Sequence, residues 1–353
     1  MGKGLGAFVR RRPLLSFYGL AIAFPVILFT YMIVMELVLH DPSWPGGSQV
    51  AHFYATKAAI QAEYPLLTHH GDSVIVSLMS YWAVPRAAPF LFFPFAPTVA
   101  ALVIVWLGWR GEGLRALLGA YRPVRGDIGW RRATALYLTL GAFVIAACAI
   151  SLLVLHLQGD VAGRENFIEK MGFFDARFVV VTFATALLLN QGGLLEELGW
   201  RGYALPLLMD RLRSPLAAAL FLGLIWALWH FPREIPSLLQ GGQDLTALAT
   251  SQAVFIAGCC AGTIVFTSFV NLSGGSVLPA IVLHGLFNLL YSAFETTQPM
   301  IRSDLVSPAI WAWVIAAGLC LLALGPDLGL GARRAAHGGD GSTDPSRIWT
   351  SRT

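Results

Sequence analysis

Apolar residues along this chain come in long blocks, separated by short polar connections. Blocks of about 20 predominantly apolar residues have the length that carries a helix across a ~30 Å hydrocarbon layer. They fall at about 14–39, 89–109, 133–157, 178–208, 215–231, 247–270, 277–294 and 308–324. A backbone in hydrocarbon finds no water for its N–H and C=O groups, so such blocks predict helices. The pattern predicts an all-α fold: a polytopic membrane helical bundle of about eight transmembrane helices.

The connections refine this picture. The block at 14–39 is too long for the apolar core of a signal peptide and has no small-residue cleavage site, so it reads as a retained first span. The stretch 40–88 holds prolines, glycines and the histidines His40, His52, His69 and His70. It reads as an external loop with a surface amphipathic helix at about 48–64 and an interfacial or re-entrant piece before Pro89. Its histidines read as solvated loop residues, because no carboxylate recurs beside them at helical spacing. The loop 110–132 carries Arg110, Arg115, Arg122, Arg125, Arg131 and Arg132 against only Glu112 and Asp127. Such a loop belongs on the cytoplasmic side, as does the basic N-terminal stretch. An even number of crossings must then separate the two, and both termini are expected in the cytoplasm. Beyond Gly325 the chain is Gly-rich and polar, which predicts a disordered cytoplasmic tail over 326–353. The expected division is a three-span N-terminal membrane segment (1–170), a second membrane domain (171–325) and this tail.

Composition excludes several classes. The chain of 353 residues is 56% hydrophobic and 12% charged, against roughly 25% charged in a soluble domain. Its net charge of +4 reports orientation in the bilayer, and no nucleic-acid partner is expected. Cys148, Cys259, Cys260 and Cys320 lie in apolar stretches without CxxC spacing and read as small packing residues. Gly258 and Gly262 form a small-xxx-small pair suited to close helix packing. The Ala-, Gly- and Arg-rich composition points to a bacterial plasma membrane.

The chemistry lies in polar residues at membrane depth. Glu196, Glu197 and Arg201 interrupt the 178–208 block, although an ionisable group there costs about 2.5–3.5 kcal/mol or more to insert. Neighbouring helical residues point about 100° apart, so the two carboxylates cannot share one target. Glu197 and Arg201 have the i,i+4 spacing and order of an intrahelical ion pair. Glu196 is left to face a cavity, where a desolvated carboxylate suits general-base work. His230 lies in Trp226-Ala-Leu-Trp-His230-Phe-Pro, and a lone buried histidine is more often structural than catalytic. His284 and Asn288 are again i,i+4, on one face of a later block, and such a pair also serves simply to bond helices together. All three constellations sit near the middle of their blocks, so antiparallel packing brings them to one level.

One carboxylate, two imidazoles and an amide in a partly dry cavity suit hydrolysis. Two routes are open. Glu196, His230 and His284 could ligate Zn²⁺, which acidifies a bound water. Alternatively, Glu196 and His230 activate water directly while His284 and Asn288 donate to the developing oxyanion. The HExxH and GxSxG patterns are absent, which argues against a thermolysin-like zinc site and against a serine acyl-enzyme. A transporter using the buried charges as an ion or proton relay is the rival from another class, but no paired, interrupted halves are visible.

The motifs EELGWRGYALP, WALWHFP and HGLFN, in this order over about 178–294, resemble the CPBP intramembrane protease family. That family contains the Ras-converting CAAX protease and bacterial relatives linked to bacteriocin processing and immunity. Trp226 stands where the family often has Phe, and both are aromatic packing groups. The resemblance implies an intramembrane endopeptidase acting on protein or peptide substrates with a hydrophobic or lipidated segment in the bilayer. It implies Glu196, Glu197, His230, His284 and Asn288 as active-site positions, supported by Arg201 and Trp226. The family is catalogued as metalloproteases, and a glutamate-activated water without metal is also argued for it. A non-catalytic immunity or scaffold protein would keep the same fold.

Overall fold

The computed structural model describes residues 2–38, 43, 49–68, 73–171, 176–234, 245–294, 308–341 and 343–350. Among them regular structure is helical throughout. The α-helices are α1 (Gly2–Arg11), α2 (Pro13–Val38), α3 (Gln49–Glu63), α4 (Val74–Ala83), α5 (Phe92–Leu118), α6 (Trp130–Leu157), α7 (Val161–Met171) and α8 (Ala176–Leu188). They continue with α9 (Gln191–Glu197), α10 (Leu205–Leu212), α11 (Pro215–His230), α12 (Leu245–Leu272), α13 (Leu278–Phe294), α14 (Pro308–Leu324), α15 (Leu330–Ala336) and α16 (Arg347–Thr350). A π-helical stretch, Leu198–Ala204, joins α9 to α10.

Every apolar block is helical, and together they form a helical membrane bundle. Among the described residues five helices are long and apolar enough to cross a membrane, or six if α8 and the α9–α10 stretch form one span bent by 51°. The bend has a local cause. Asn190 caps α9, its side chain accepting the Gly193 N–H at 2.6 Å, so one helix ends and another begins inside the 178–208 block. Helices α11 and α13 are only 16 and 17 residues long. Ser214 caps α11 and Pro215 opens it, which fixes its start three residues after α10 ends. Most of α13 is buried among its neighbours, so protein and not lipid satisfies its apolar faces.

The surface helix expected at 48–64 is α3, held to α4 by the stacked rings of Phe53 and Tyr81, 5.2 Å apart. The interfacial piece is α4 with the 3₁₀ turn Pro85–Leu91. Helix α4 docks at the α8–α9 break: Val74 N–H donates to the Leu189 carbonyl at 2.8 Å, and the Ser77 hydroxyl donates to Gln191. His40, His69 and His70 lie outside the described residues. Arg10 donates to the Gly108 carbonyl at 2.8 Å, which brings the basic start of the chain to the same end of the bundle as the arginine-rich loop after α5.

Among the described residues the tail is helical and anchored, where composition led to an expectation of disorder. Its few large or charged side chains anchor it. Trp349 is fully buried, with its ring 5.7 Å from that of Tyr203. Arg333 pairs with Asp344 at 2.6 Å, Asn271 donates to the Leu328 carbonyl at 3.0 Å, and Asp127 N–H donates to the Ala336 carbonyl at 2.7 Å. One continuous buried core runs from Val9 to Trp349 and crosses both expected domain boundaries. Gly258 and Gly262 pack as expected, their Cα positions receiving the aromatic rings of Tyr291 and Phe287 from α13.

Candidate active site

The Asn190 cap sets the phase of α9. Gly192, Glu196 and Trp200 then follow at four-residue steps along one face, with Glu197 and Arg201 on the next. The stretch beyond Glu197 has π-helical hydrogen bonding, a form frequent at functional sites. It is pressed directly on α5: a Cβ at Gly199 would lie 2.3 Å from the Pro97 carbonyl carbon, so only glycine fits.

The two carboxylates diverge. Glu197 Oε1 accepts from Arg201 Nη1 at 2.7 Å and from His284 Nδ1 at 2.7 Å. Arg201 also donates through Nη2 to Thr263 Oγ1 at 3.0 Å. Its guanidinium lies between two rings, 4.7 Å from that of Trp226 and 4.6 Å from that of Phe266. Glu197, Arg201 and His284 are all at most 2% exposed. Burial at this depth is tolerable because charge, hydrogen bonds and ring faces together replace water.

Glu196 turns the other way. Its Oε2 accepts from the indoles of Trp226 at 2.9 Å and Trp200 at 3.3 Å. Both indoles address one oxygen, which leaves Oε1 as the face available for chemistry. His230, the last residue of α11, donates from Nδ1 to the Trp226 carbonyl at 2.8 Å. A carbonyl only accepts, so this bond fixes the proton on Nδ1 and makes Nε2 the basic nitrogen. Trp226 is thus the hub: its ring centroid is 5.7 Å from that of His230 and 5.2 Å from that of His284.

His284 and Asn288 lie one turn apart over Gly192. A Cβ at Gly192 would sit 2.4 Å from His284 Nε2 and 3.1 Å from Asn288 Nδ2. The missing side chain is what lets these two nitrogens approach α9 side by side. Helices α2 and α5 wall the site: Trp229 donates to the Ala21 carbonyl at 3.1 Å and stacks on Phe93 with 4.2 Å between centroids.

The structure therefore gathers the expected residues but wires them differently. Glu197 and Arg201 form the anticipated ion pair. The direct partner of His284, however, is Glu197 and not Glu196. Sequence reasoning missed Gly192, Trp200, Thr263 and Phe266. Gly192 and Trp200 were findable, since each lies four residues from Glu196 on the same helix face. Thr263 and Phe266 come from α12 and carry no local signal.

The metal route asks more of this donor set than it provides. Among the described residues no three His, Cys, Asp or Glu side chains are grouped to hold a metal ion. His284 Nδ1 is committed to Glu197 and Glu196 Oε2 to two indoles, which leaves Glu196 Oε1 and His284 Nε2 outside these bonds.

Residues 175–290 match the family model described as type II CAAX prenyl endopeptidase Rce1-like. This stretch holds Glu196, Glu197, Arg201, Trp226, His230, His284 and Asn288. The chain is also similar to CAAX prenyl protease 2 of Methanococcus maripaludis, 32% identical over 152 residues, which cover 42% of this chain and 54% of the relative. The chain spans about half the length of that curated relative. Motifs, helical membrane fold and matched segment agree in making the chain similar to the CPBP/CAAX protease family over 175–290.

Proposed function

We propose that this protein is an intramembrane endopeptidase that hydrolyses peptide bonds of membrane-associated or lipidated proteins with a water activated by Glu196. The observation that carries this reading is the division of labour between adjacent carboxylates. Glu197 is spent on Arg201 and His284, while Glu196 is pinned by two indoles through one oxygen only.

In this reading Glu196 Oε1 takes a proton from water, with the basic Nε2 of His230 completing the water's hydrogen bonds. The hydroxyl oxygen attacks the peptide carbonyl carbon. The carbonyl oxygen becomes an oxyanion and accepts from His284 Nε2 and Asn288 Nδ2. Protonated Glu196 then passes its proton to the leaving amide nitrogen as the C–N bond breaks. Glu197 balances the charge of a doubly protonated His284, and Arg201 holds Glu197 in place. General-base assistance contributes about 10²–10⁴-fold and each oxyanion donor about 10²–10³-fold. In this reading no step is routed through a metal. The relative's name, CAAX prenyl protease 2, supports C-terminally prenylated peptides as a first substrate class. The basic residues gathered at the α1 end support cytoplasmic termini in a bacterial plasma membrane.

The test is cleavage of a membrane-peptide library, with prenylated peptides included, by the purified full chain and by Glu196→Gln and Glu196→Ala. Both variants are expected to lose about 10³-fold or more in kcat, and chelator is expected to leave wild-type activity intact. Wild-type-like cleavage by both variants would remove Glu196 as the base. Loss of activity in chelator, restored by Zn²⁺, would overturn the metal-free route.

A further inference from the structure

At the basic end of the bundle a groove of about 350 Å³ opens between α2 and the α10–α11 pair. Leu14 and Tyr18 of α2, Leu208 of α10 and Phe221 of α11 line it, with Arg12 and Arg211 at its edge. Arg12 immediately precedes the Pro13–Glu36 span, and Arg211 is the penultimate residue of the Gln191–Leu212 stretch. The two guanidiniums therefore sit where hydrocarbon gives way to headgroups, one from each side of the groove. No acidic side chain lines it. Both arginines are exposed. The Tyr18 hydroxyl is buried without a hydrogen-bond partner among the described residues.

We infer that this groove binds an anionic glycerophospholipid, its phosphate between Arg12 and Arg211 and one acyl chain along Leu14, Leu208 and Phe221. Charge complementarity selects the ligand. An apolar groove alone would take any acyl chain, but two guanidiniums at headgroup depth favour a net negative headgroup over a zwitterionic one. The site lies on the outer surface of the bundle and is independent of the proposed chemistry at Glu196, so it stands or falls separately.

The experiment compares retention of phosphatidylglycerol and phosphatidylcholine with identical chains, by native mass spectrometry of the full chain and by thermal stabilisation in detergent. Wild type is expected to retain phosphatidylglycerol selectively. Arg12→Gln/Arg211→Gln is expected to bind it about thirtyfold more weakly, at about fivefold per charge. Leu212→Trp, at a 41% exposed lining position, fills the groove while keeping both charges and is expected to lose retention as well. Arg131→Gln/Arg132→Gln, at another exposed pair, is expected to behave as wild type. Equal retention of the two lipids, or equal loss in the Arg131/Arg132 variant, would overturn the site in favour of diffuse surface attraction. Stabilisation by inorganic phosphate equal to that by phosphatidylglycerol would overturn it in favour of a simple anion site.

Discussion

Removing the Glu197 carboxylate tests how the site is held together. In Glu197→Ala the Arg201 guanidinium loses its ion-pair partner, and His284 Nδ1 loses its acceptor. Arg201 is 1% exposed and wedged between the rings of Trp226 and Phe266, so it cannot swing to water. Breaking a buried pair from one side costs about 3–5 kcal/mol. The orphaned His284 donor is part of that figure and not an addition, because both bonds end on the same oxygen. Arg201→Met alone strands the fully buried Glu197 and carries a similar cost. The double variant Glu197→Ala/Arg201→Met removes both charges and leaves a thioether between two aromatic rings, a favourable contact. It is therefore expected to be more stable than either single variant, with an interaction energy of at least about 2 kcal/mol. The assay is a double-mutant cycle of unfolding in mixed micelles, followed by tryptophan fluorescence, with peptide cleavage measured in parallel. Cleavage should not return in the double variant, since His284 still lacks its orienting acceptor. Additive single costs, or a Glu197→Ala variant within about 1 kcal/mol of wild type, would refute the buried network.

Gly192→Ala places a methyl 2.4 Å from His284 Nε2, and the overpacking should cost about 1–3 kcal/mol. Cleavage should fall about 10²-fold with helical content unchanged; a kcat equal to wild type would show that the approach to α9 is not needed. Trp349→Ala empties a fully buried site against Tyr203 and should cost the tail about 3–5 kcal/mol, read as rapid proteolysis after residue 325; an equally resistant tail would contradict the packing. Burial pushes the Asp344 carboxyl up, but the Arg333 guanidinium and the Ser346 hydrogen bonds more than reverse this and hold it well below the usual carboxylate range. A folded-state value below the unfolded one, about 3.9, means this stabilisation is complete above that pH and is lost as pH falls toward the folded-state value. Hydrogen exchange of the tail should thus be steady from neutral to mildly acidic pH and rise in stronger acid. Asp344→Asn should give the raised exchange already at neutral pH, and unchanged exchange in that variant would break the argument.

The helices were legible because an apolar block in hydrocarbon has no alternative to helix. Their lengths were not. At Asn190 a cap restarts the helix inside a block whose average hydropathy conceals it, and α11 and α13 are shorter than a bilayer because protein surrounds them. Disorder in the tail was inferred from average composition, whereas Trp349, Arg333 and Asn271 each act singly. A glycine-rich stretch can be held by three such anchors, and composition does not weigh them.

The site shows the same division between local and distant information. The Glu197–Arg201 pair lies within one turn and was readable from spacing alone. The Glu197–His284 bond spans 87 positions, and no local spacing announces it. Its consequence reaches beyond one contact. With consecutive residues about 100° apart, Glu197 faces α13 and α12 while Glu196 faces α11. The tandem thus lets one short helix serve two neighbours. One carboxylate neutralises a cation and orients a histidine. The other is fixed by two indoles that carry no charge. A single glutamate facing Trp226 would leave His284 Nδ1 and Arg201 without the carboxylate that both of them bond.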